Sequence, residues 1–312
     1  MADIKLFSIH GEVHEIKGSA ATLEKELQTK IEQNMEIFFG VRFLASEYKT
    51  DDGRIDSIGI DENNCAVIFE YKRNISENVI NQGLHYLNWL MTHRADFELL
   101  VAKKLGLNIA NEIDWSMPRV ICIAGDFNRY DESALNQMSR NIALIRYKIY
   151  EDKWLIFEKI AEKVIGRKEQ RELLANEEIV IDKIENTKMS KNKNDYSFEK
   201  QFEAADDKLK ELYRLIEETV LSFGDDVTIV NLKLYTAFRK VKNFISCVIR
   251  TGNRNLLLYL NLDPNTVKLE NGFTKDKTNI GHWGTGDLEV TISNKNDIEK
   301  ALPLLKKAYE EN

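Results

Sequence analysis

The chain has 312 residues, of which 43% are hydrophobic and 30% charged, and a formal net charge of −7. That length suits two domains better than one core, and the acidic balance argues against passive coating of nucleic acid while leaving room for a local basic groove. No run approaches the roughly 20 apolar residues that span a bilayer, so a transporter or a membrane partner has no support. The three cysteines, Cys65, Cys122 and Cys247, are too far apart for a CxxC metal site or a disulfide framework.

IKLFSI and VHEIKG read as a short N-terminal strand pair. The same region lacks the apolar core of a signal peptide, and buried reduced thiols suit a reducing compartment, so a cytoplasmic protein is expected. Over residues 21–39, Leu23, Leu27, Ile31, Met35 and Phe38 recur at three-to-four spacing and predict one amphipathic helix. VRFLASEYKT follows as a strand. Ile55–Ile60 and Cys65–Arg73 then form an antiparallel hairpin around a turn at Asp61–Asn64. SENVINQGLHYLNWLMTHR reads as a helix capped by Ser76, and FELLVAKKLG as a second helix ending near Gly106. PRVICIAGDF is β-rich, ESALNQMSRN is helical, and IALIRYKIYE and KWLIFEKI are two further strands. This order predicts an α/β (α+β) domain over 1–165, a mixed sheet flanked by helices.

Residues 166–196 are rich in Lys, Glu and Asn and read as a charged linker. From 197 a long amphipathic helix runs to a stop at Gly224. VTIVNLKLYTAFRK, NFISCVIRTG and NLLLYLNLD are strands, LEVTIS is another, and NDIEKALPLLKKAYEEN closes the chain as a helix capped near Asn296 or Asp297. Residues 197–312 thus form a smaller α+β domain. Its GHWGTGD run (281–287) lacks the spacing of a phosphate loop and reads as a tight hairpin turn with Trp283 packed beneath, the competing reading being a small recognition loop. Lys233, Arg239, Lys240, Lys242 and Arg250, interleaved with Tyr235, Phe238 and Phe244, form the most basic aromatic segment. It suits a phosphate backbone or, equally, solvated cations beside a core strand.

The hairpin carries the chemistry. Side chains alternate along a strand, so Glu70 and Lys72 share a face, with Asp56 on the partner strand and Val67, Phe69 and Tyr71 on the opposite face. Two carboxylates and an ammonium at a strand end can hold a hard divalent cation, activate water and offset charge on a phosphate. The bland alternative is a solvated strand face with a weak cross-strand ion pair.

Asp56, thirteen intervening residues and Glu70-Tyr71-Lys72 resemble the D…ExK core of the PD-(D/E)XK nuclease superfamily. GRIDSIGI with VIFEYKR is similar in particular to the archaeal-type mismatch and flap endonucleases. The resemblance covers about residues 20–125 and implies a restriction-endonuclease-like sheet, Mg²⁺ or Mn²⁺ held by Asp56 and Glu70, and in-line hydrolysis of DNA phosphodiesters. It also implies a helix glutamate acting on the cation through water, Glu26 or less readily Glu32. Gln82 and Tyr86, four apart on one helix face, would touch DNA or support the site, with Arg54 and Arg73 beside the substrate. The expected partner is DNA that is branched, mismatched or single-stranded. The C-terminal domain resembles an uncharacterised family often fused behind such nucleases. It would recognise nucleic acid, a partner or a second copy, so a homodimer is left open. The alternative function is a non-catalytic nucleic-acid or protein interaction module on a nuclease fold.

Overall fold

The computed structural model describes residues 4–21, 24–73, 78–165 and 197–312. The expected linker at 166–196 and the expected cap Ser76 lie outside the described residues. Two compact units divide the chain, Met1–Ile165 and Gly166–Asn312.

The first unit opens with a two-stranded ribbon, β1 (Leu6–Ser8) and β2 (His14–Ile16), followed by the two-residue β3 (Gly18–Ser19). The helix expected over 21–39 is two helices, α1 (Glu24–Gln33) and α2 (Met35–Phe39). The break falls at Asn34, whose backbone leaves the helical region and whose side-chain amide donates to the Lys30 carbonyl at 2.9 Å. Apolar periodicity runs straight through this kink because both helices bury the same side.

Then come β4 (Val41–Thr50), β5 (Gly53–Asp61), β6 (Ala66–Lys72), α3 (Val79–Thr92), α4 (Arg94–Leu105) and the short α5 (Leu107–Asn111). β7 (Arg119–Ala124), α6 (Arg129–Asn136), β8 (Asn141–Tyr150) and β9 (Trp154–Lys163) complete the unit. The seven-stranded sheet has the order β3-β8-β7-β6-β5-β4, with β9 on β8. It is mixed, as expected. β6, β7 and β8 are parallel, while β4, β5 and β9 run antiparallel to their neighbours.

Helices cover both faces, and this explains why β7 reads as the unbroken apolar run VICIA after Arg119, every residue of it buried. On one face Ile58, Ile60, Ile68, Val120 and Cys122 pack with Val79, Leu87 and Leu90 of α3 and Phe97 and Val101 of α4. On the other, Phe39 meets Phe69 and Phe157 at ring separations of 5.4 and 5.1 Å, and Phe69 stacks on Tyr71. Phe69 and Tyr71 therefore occupy the face opposite Glu70, as strand alternation requires.

In the second unit, the long helix expected over 197–224 is α7 (Phe198–Ala204) and α8 (Asp207–Leu221). Between them Asp206 adopts an extended backbone and its carboxylate accepts from the Leu209 amide at 2.9 Å, an N-cap that starts a new helix. The expected strand over 227–240 is a hairpin of β10 (Thr228–Asn231) and β11 (Thr236–Arg239). β12 (Asn243–Arg250), β13 (Asn255–Leu260), β14 (Thr274–Asp276) and β15 (Leu288–Ile292) extend it to a six-stranded antiparallel sheet. The closing α9 (Lys295–Glu311) is capped by Asn294, in a reciprocal capping box with Asp297, rather than by Asn296 or Asp297. Phe198, Leu212 and Ile216 with Ala301 and Leu305 bury one sheet face through Cys247, Ile249, Leu256 and Leu258. All three cysteines are buried and free. No described helix is long and apolar enough to cross a membrane.

Candidate active site

The hairpin of β5 and β6 pairs from Ile60↔Ala66 to Ser57↔Phe69, and there the ladder stops. One step further Asp56 faces Glu70, and side chains replace the missing backbone pairs. The Tyr71 amide donates to Asp56 Oδ2 at 3.0 Å, and the Asp56 amide points at Glu70 Oε1 at 3.5 Å. The Asp56 carbonyl accepts from the Gln28 side-chain amide of α1 at 2.7 Å. The strands part at this point, which lies toward the C-terminal end of the parallel strand β6, and two carboxylates stand in the opening. The outer ends of parallel strands are where α/β sheets commonly place ligands.

The environment of the pair is asymmetric. Glu70 is only 1% exposed. Burial first, and the adjacent Asp56 carboxylate second, push it up to about 9. Asp56 is half-buried, and burial raises it too, although the Tyr71 amide and the Lys72 ammonium act in the opposite sense. Two carboxylates this close cannot both ionise without a counter-charge, so in the cation-free protein they retain a proton. Lys72, half-buried at the end of β6, helps both acids, but its Nζ also lies 3.9 Å from Glu24 Oε1.

Glu24 is the residue that sequence reasoning missed. Its Oε2 accepts from the Arg73 amide at 3.1 Å, and its charge reaches Asp56. Glu26, the expected helix carboxylate, is exposed and makes no hydrogen bond or ion pair among the described residues. The reason is helical geometry. Glu24, Gln28 and Glu32 recur every four residues and share a face, whereas Glu26 sits about 200° around the axis from Glu24. The stripe E-x3-Q-x3-E was the available signal. Glu32, the substitute, belongs to this face, but its Oε1 accepts from Gln28 Nε2 at 2.8 Å and Ser57 Oγ at 2.6 Å, so it anchors the neighbour of Asp56.

The remaining expected residues divide. Tyr86 is buried, and its hydroxyl accepts from the Arg54 amide at 3.2 Å. A Cβ on Gly53 would come within 2.7 Å of that hydroxyl, so the glycine lets the β4–β5 turn close on the ring. Tyr86 therefore supports the entry to β5 and does not present itself to a substrate. Gln82, one turn earlier on α3, is exposed, and its side chain makes no hydrogen bond among the described residues. Arg54 is exposed, 3.5 Å from Glu47, and Arg73 is exposed beside Lys72, its carbonyl accepting from Tyr147 at 3.1 Å. Asp126, in the loop after β7, pairs with Arg146 at 3.2 Å. Trp89 donates to Asp51, in the turn between β4 and β5, at 3.2 Å and stacks on His93.

Among the described residues no three His, Cys, Asp or Glu side chains converge to enclose a metal by themselves. The donor set is two carboxylates. That is the usual protein share for Mg²⁺, which keeps several waters and completes its shell with phosphate oxygens.

In the second unit the basic aromatic segment is mostly structural. Tyr235, Phe238 and Phe244 are buried, as is Arg239, and Lys240 lies 4.5 Å above the Tyr309 ring and 3.8 Å from Asp226. Arg250 lines a cleft.

Known proteins resemble the two units to different degrees. Residues 198–312 match the family described as a domain of unknown function, DUF5655. An uncharacterized protein of Haemophilus influenzae is 29% identical over 318 aligned positions, covering 99% of this chain and 100% of that protein. Among solved structures, a repair endonuclease from Pyrococcus abyssi is similar at 18% identity and a TM-score of 0.28, over 40% of this chain and 48% of that one. EndoMS in complex with double-stranded DNA is similar at 19% identity and a TM-score of 0.25, over 39% and 44% of the two chains. EndoMS in its apo form gives 18% identity and a TM-score of 0.25, over 43% and 49%. The chain thus spans just under half the length of the solved proteins it matches.

Proposed function

We propose that the first unit is a divalent-cation-dependent phosphodiesterase that cleaves DNA, with single-stranded, branched or mismatched DNA as its substrate class. The observation that carries this reading is the Asp56–Glu70 pair at the point where β5 and β6 part, with Lys72 beside it. The one ammonium beside the pair is shared with Glu24, so the buried carboxylates carry negative charge in excess, which a bound cation would offset.

Asp56 and Glu70 would hold Mg²⁺ or Mn²⁺. When bound, such a cation acidifies water and offsets charge on a phosphate oxygen. The chain's own groups do the rest. The Tyr71 amide fixes one Asp56 oxygen, and Gln28 holds the strand end in place. Glu70 gives up its proton as the cation enters. Lys72 orients the attacking water in line with the scissile bond, or stabilises negative charge on the phosphate, while Glu24 positions the ammonium. Exposed Gln82, Arg54 and Arg73 supply contacts to the flanking backbone.

The test is cleavage of end-labelled single-stranded, branched and mismatched DNA in Mg²⁺ and in Mn²⁺. Cleavage that disappears with chelator and in Glu70→Gln and Lys72→Ala supports the reading. Tight binding with no turnover across all three substrates in both metals contradicts it and leaves a non-catalytic binding module.

A further inference from the structure

The sheet of the second unit has a second face, away from its helices, and a single loop closes part of it. Residues 277–287 lie over β12 and β13. The Thr285 amide donates to Ser246 Oγ at 3.0 Å, and the His282 ring stacks on Tyr259 with centroids 4.1 Å apart and planes 8° from parallel. Gly284 makes the close approach. Its φ of +94° is one that side-chain-bearing residues rarely adopt, and a Cβ there would come within 2.6 Å of Ser246 Cβ. The expected turn with a packed tryptophan is therefore different in detail. The histidine lies down on the sheet, and Trp283 remains 43% exposed.

Beside this loop lies an open cleft of about 630 Å³, of the size that takes a small molecule. Its walls combine two features. One is aromatic surface, the His282–Tyr259 stack and Trp283. The other is positive charge, from exposed Arg250 and half-buried Lys277. Lys277 is neutralised by Glu289 at 3.2 Å. Among the described residues Arg250 has no acidic partner, its guanidinium donating to the neutral Asn253 side chain at 3.3 Å in the turn 251–253. No Asp or Glu lines the cleft, although the chain as a whole carries a charge of −7. An uncompensated guanidinium next to a stacking surface selects a ligand that is planar at one end and anionic at the other.

We propose that this cleft binds a nucleotide, with the base against Trp283 and the His282–Tyr259 stack and the phosphate on Arg250. The ligand is either a free mononucleotide or the terminal nucleotide of a single strand, since both present the same chemistry. This site does not depend on whether the Asp56–Glu70 site cuts.

Calorimetric titration of the full chain in chelator tests it, because binding is then read without any cleavage. AMP binds, and adenosine, lacking the phosphate, and ribose 5-phosphate, lacking the base, each bind at least about tenfold more weakly. Arg250→Ala, at an exposed position, weakens AMP about tenfold or more, and Trp283→Ala weakens AMP and adenosine alike. Lys72→Ala binds AMP as the unaltered chain does. A 5′-phosphorylated single strand that binds more tightly than AMP identifies a strand end as the source, and equal binding identifies the free nucleotide. Absence of binding by AMP and by the phosphorylated strand at millimolar concentration overturns the proposal. So does AMP binding that neither Arg250→Ala nor Trp283→Ala changes.

Discussion

Replacing Glu70 with glutamine should flatten the pH dependence of stability in the cation-free protein. Glu70 is 1% exposed, and burial with the Asp56 carboxylate beside it raises its pKa from 4.5 to about 9. Between those values the folded protein keeps a proton that the unfolded chain has released. The native state then binds more protons, and stability falls as pH rises. Each pKa unit is worth about 1.4 kcal/mol, so near pH 7 keeping Glu70 protonated costs about 3 kcal/mol relative to an unfolded chain with an ionised carboxylate. The penalty vanishes below the unfolded pKa and is complete above the folded one. Glutamine has the shape of the protonated acid and does not titrate. Glu70→Gln should therefore match the unaltered protein near pH 4 and exceed it by about 3 kcal/mol near pH 7. Asp56, also raised, leaves a residual slope of the same sign in both proteins. The assay is urea unfolding in chelator of a full chain carrying Trp283→Phe, so that the other tryptophans, Trp89, Trp115 and Trp154, all report on the unit Met1–Ile165. Parallel stability–pH curves for the two proteins would refute the burial argument.

Lys72→Ala should abolish cleavage while leaving cation affinity within a few-fold, because the ammonium is not a ligand; parallel cleavage and Mn²⁺ titrations separate the two effects. Glu24→Gln should alter cleavage and its pH profile, because Glu24 faces Lys72 at 3.9 Å, whereas Glu26→Gln should change neither. Equal effects of the two substitutions would remove Glu24 from the site. Tyr86→Phe should lower stability by about 1 kcal/mol, the worth of the hydrogen bond from the Arg54 amide, as read by the same urea unfolding. It should slow cleavage only modestly, since the ring supports the strand and does not touch substrate.

The hairpin was readable from sequence because period-two alternation on either side of a polar turn leaves one register that buries Ile58, Ile60, Ala66 and Ile68 together on one face. That register alone brings Asp56 opposite Glu70. What alternation does not show is where the ladder ends, and it is the ending after Ser57↔Phe69 that opens the site. Helix breaks at Asn34 and Asp206 were hidden for a different reason. Apolar spacing continues across each, and what separates two helices from one is local: a non-helical backbone at Asn34 and an extended, capping Asp206. Glu26, with Glu32 as substitute, was expected from the place of a glutamate in the family the hairpin resembles. The four-residue stripe of Glu24, Gln28 and Glu32 marks the face that meets β5 and Lys72. At Trp283 the expectation followed size, since a large aromatic is usually buried, but the sheet surface there is already covered by His282.

The claim at the centre of this account is that Asp56 and Glu70 are joined by a divalent cation. Crystals grown with Mn²⁺ and measured for anomalous scattering test it directly. The account predicts one strong peak between the two carboxylates. Glu70→Gln should weaken or remove that peak. A map with no peak there, or with manganese bound elsewhere while Asp56 and Glu70 still share a proton, would contradict it.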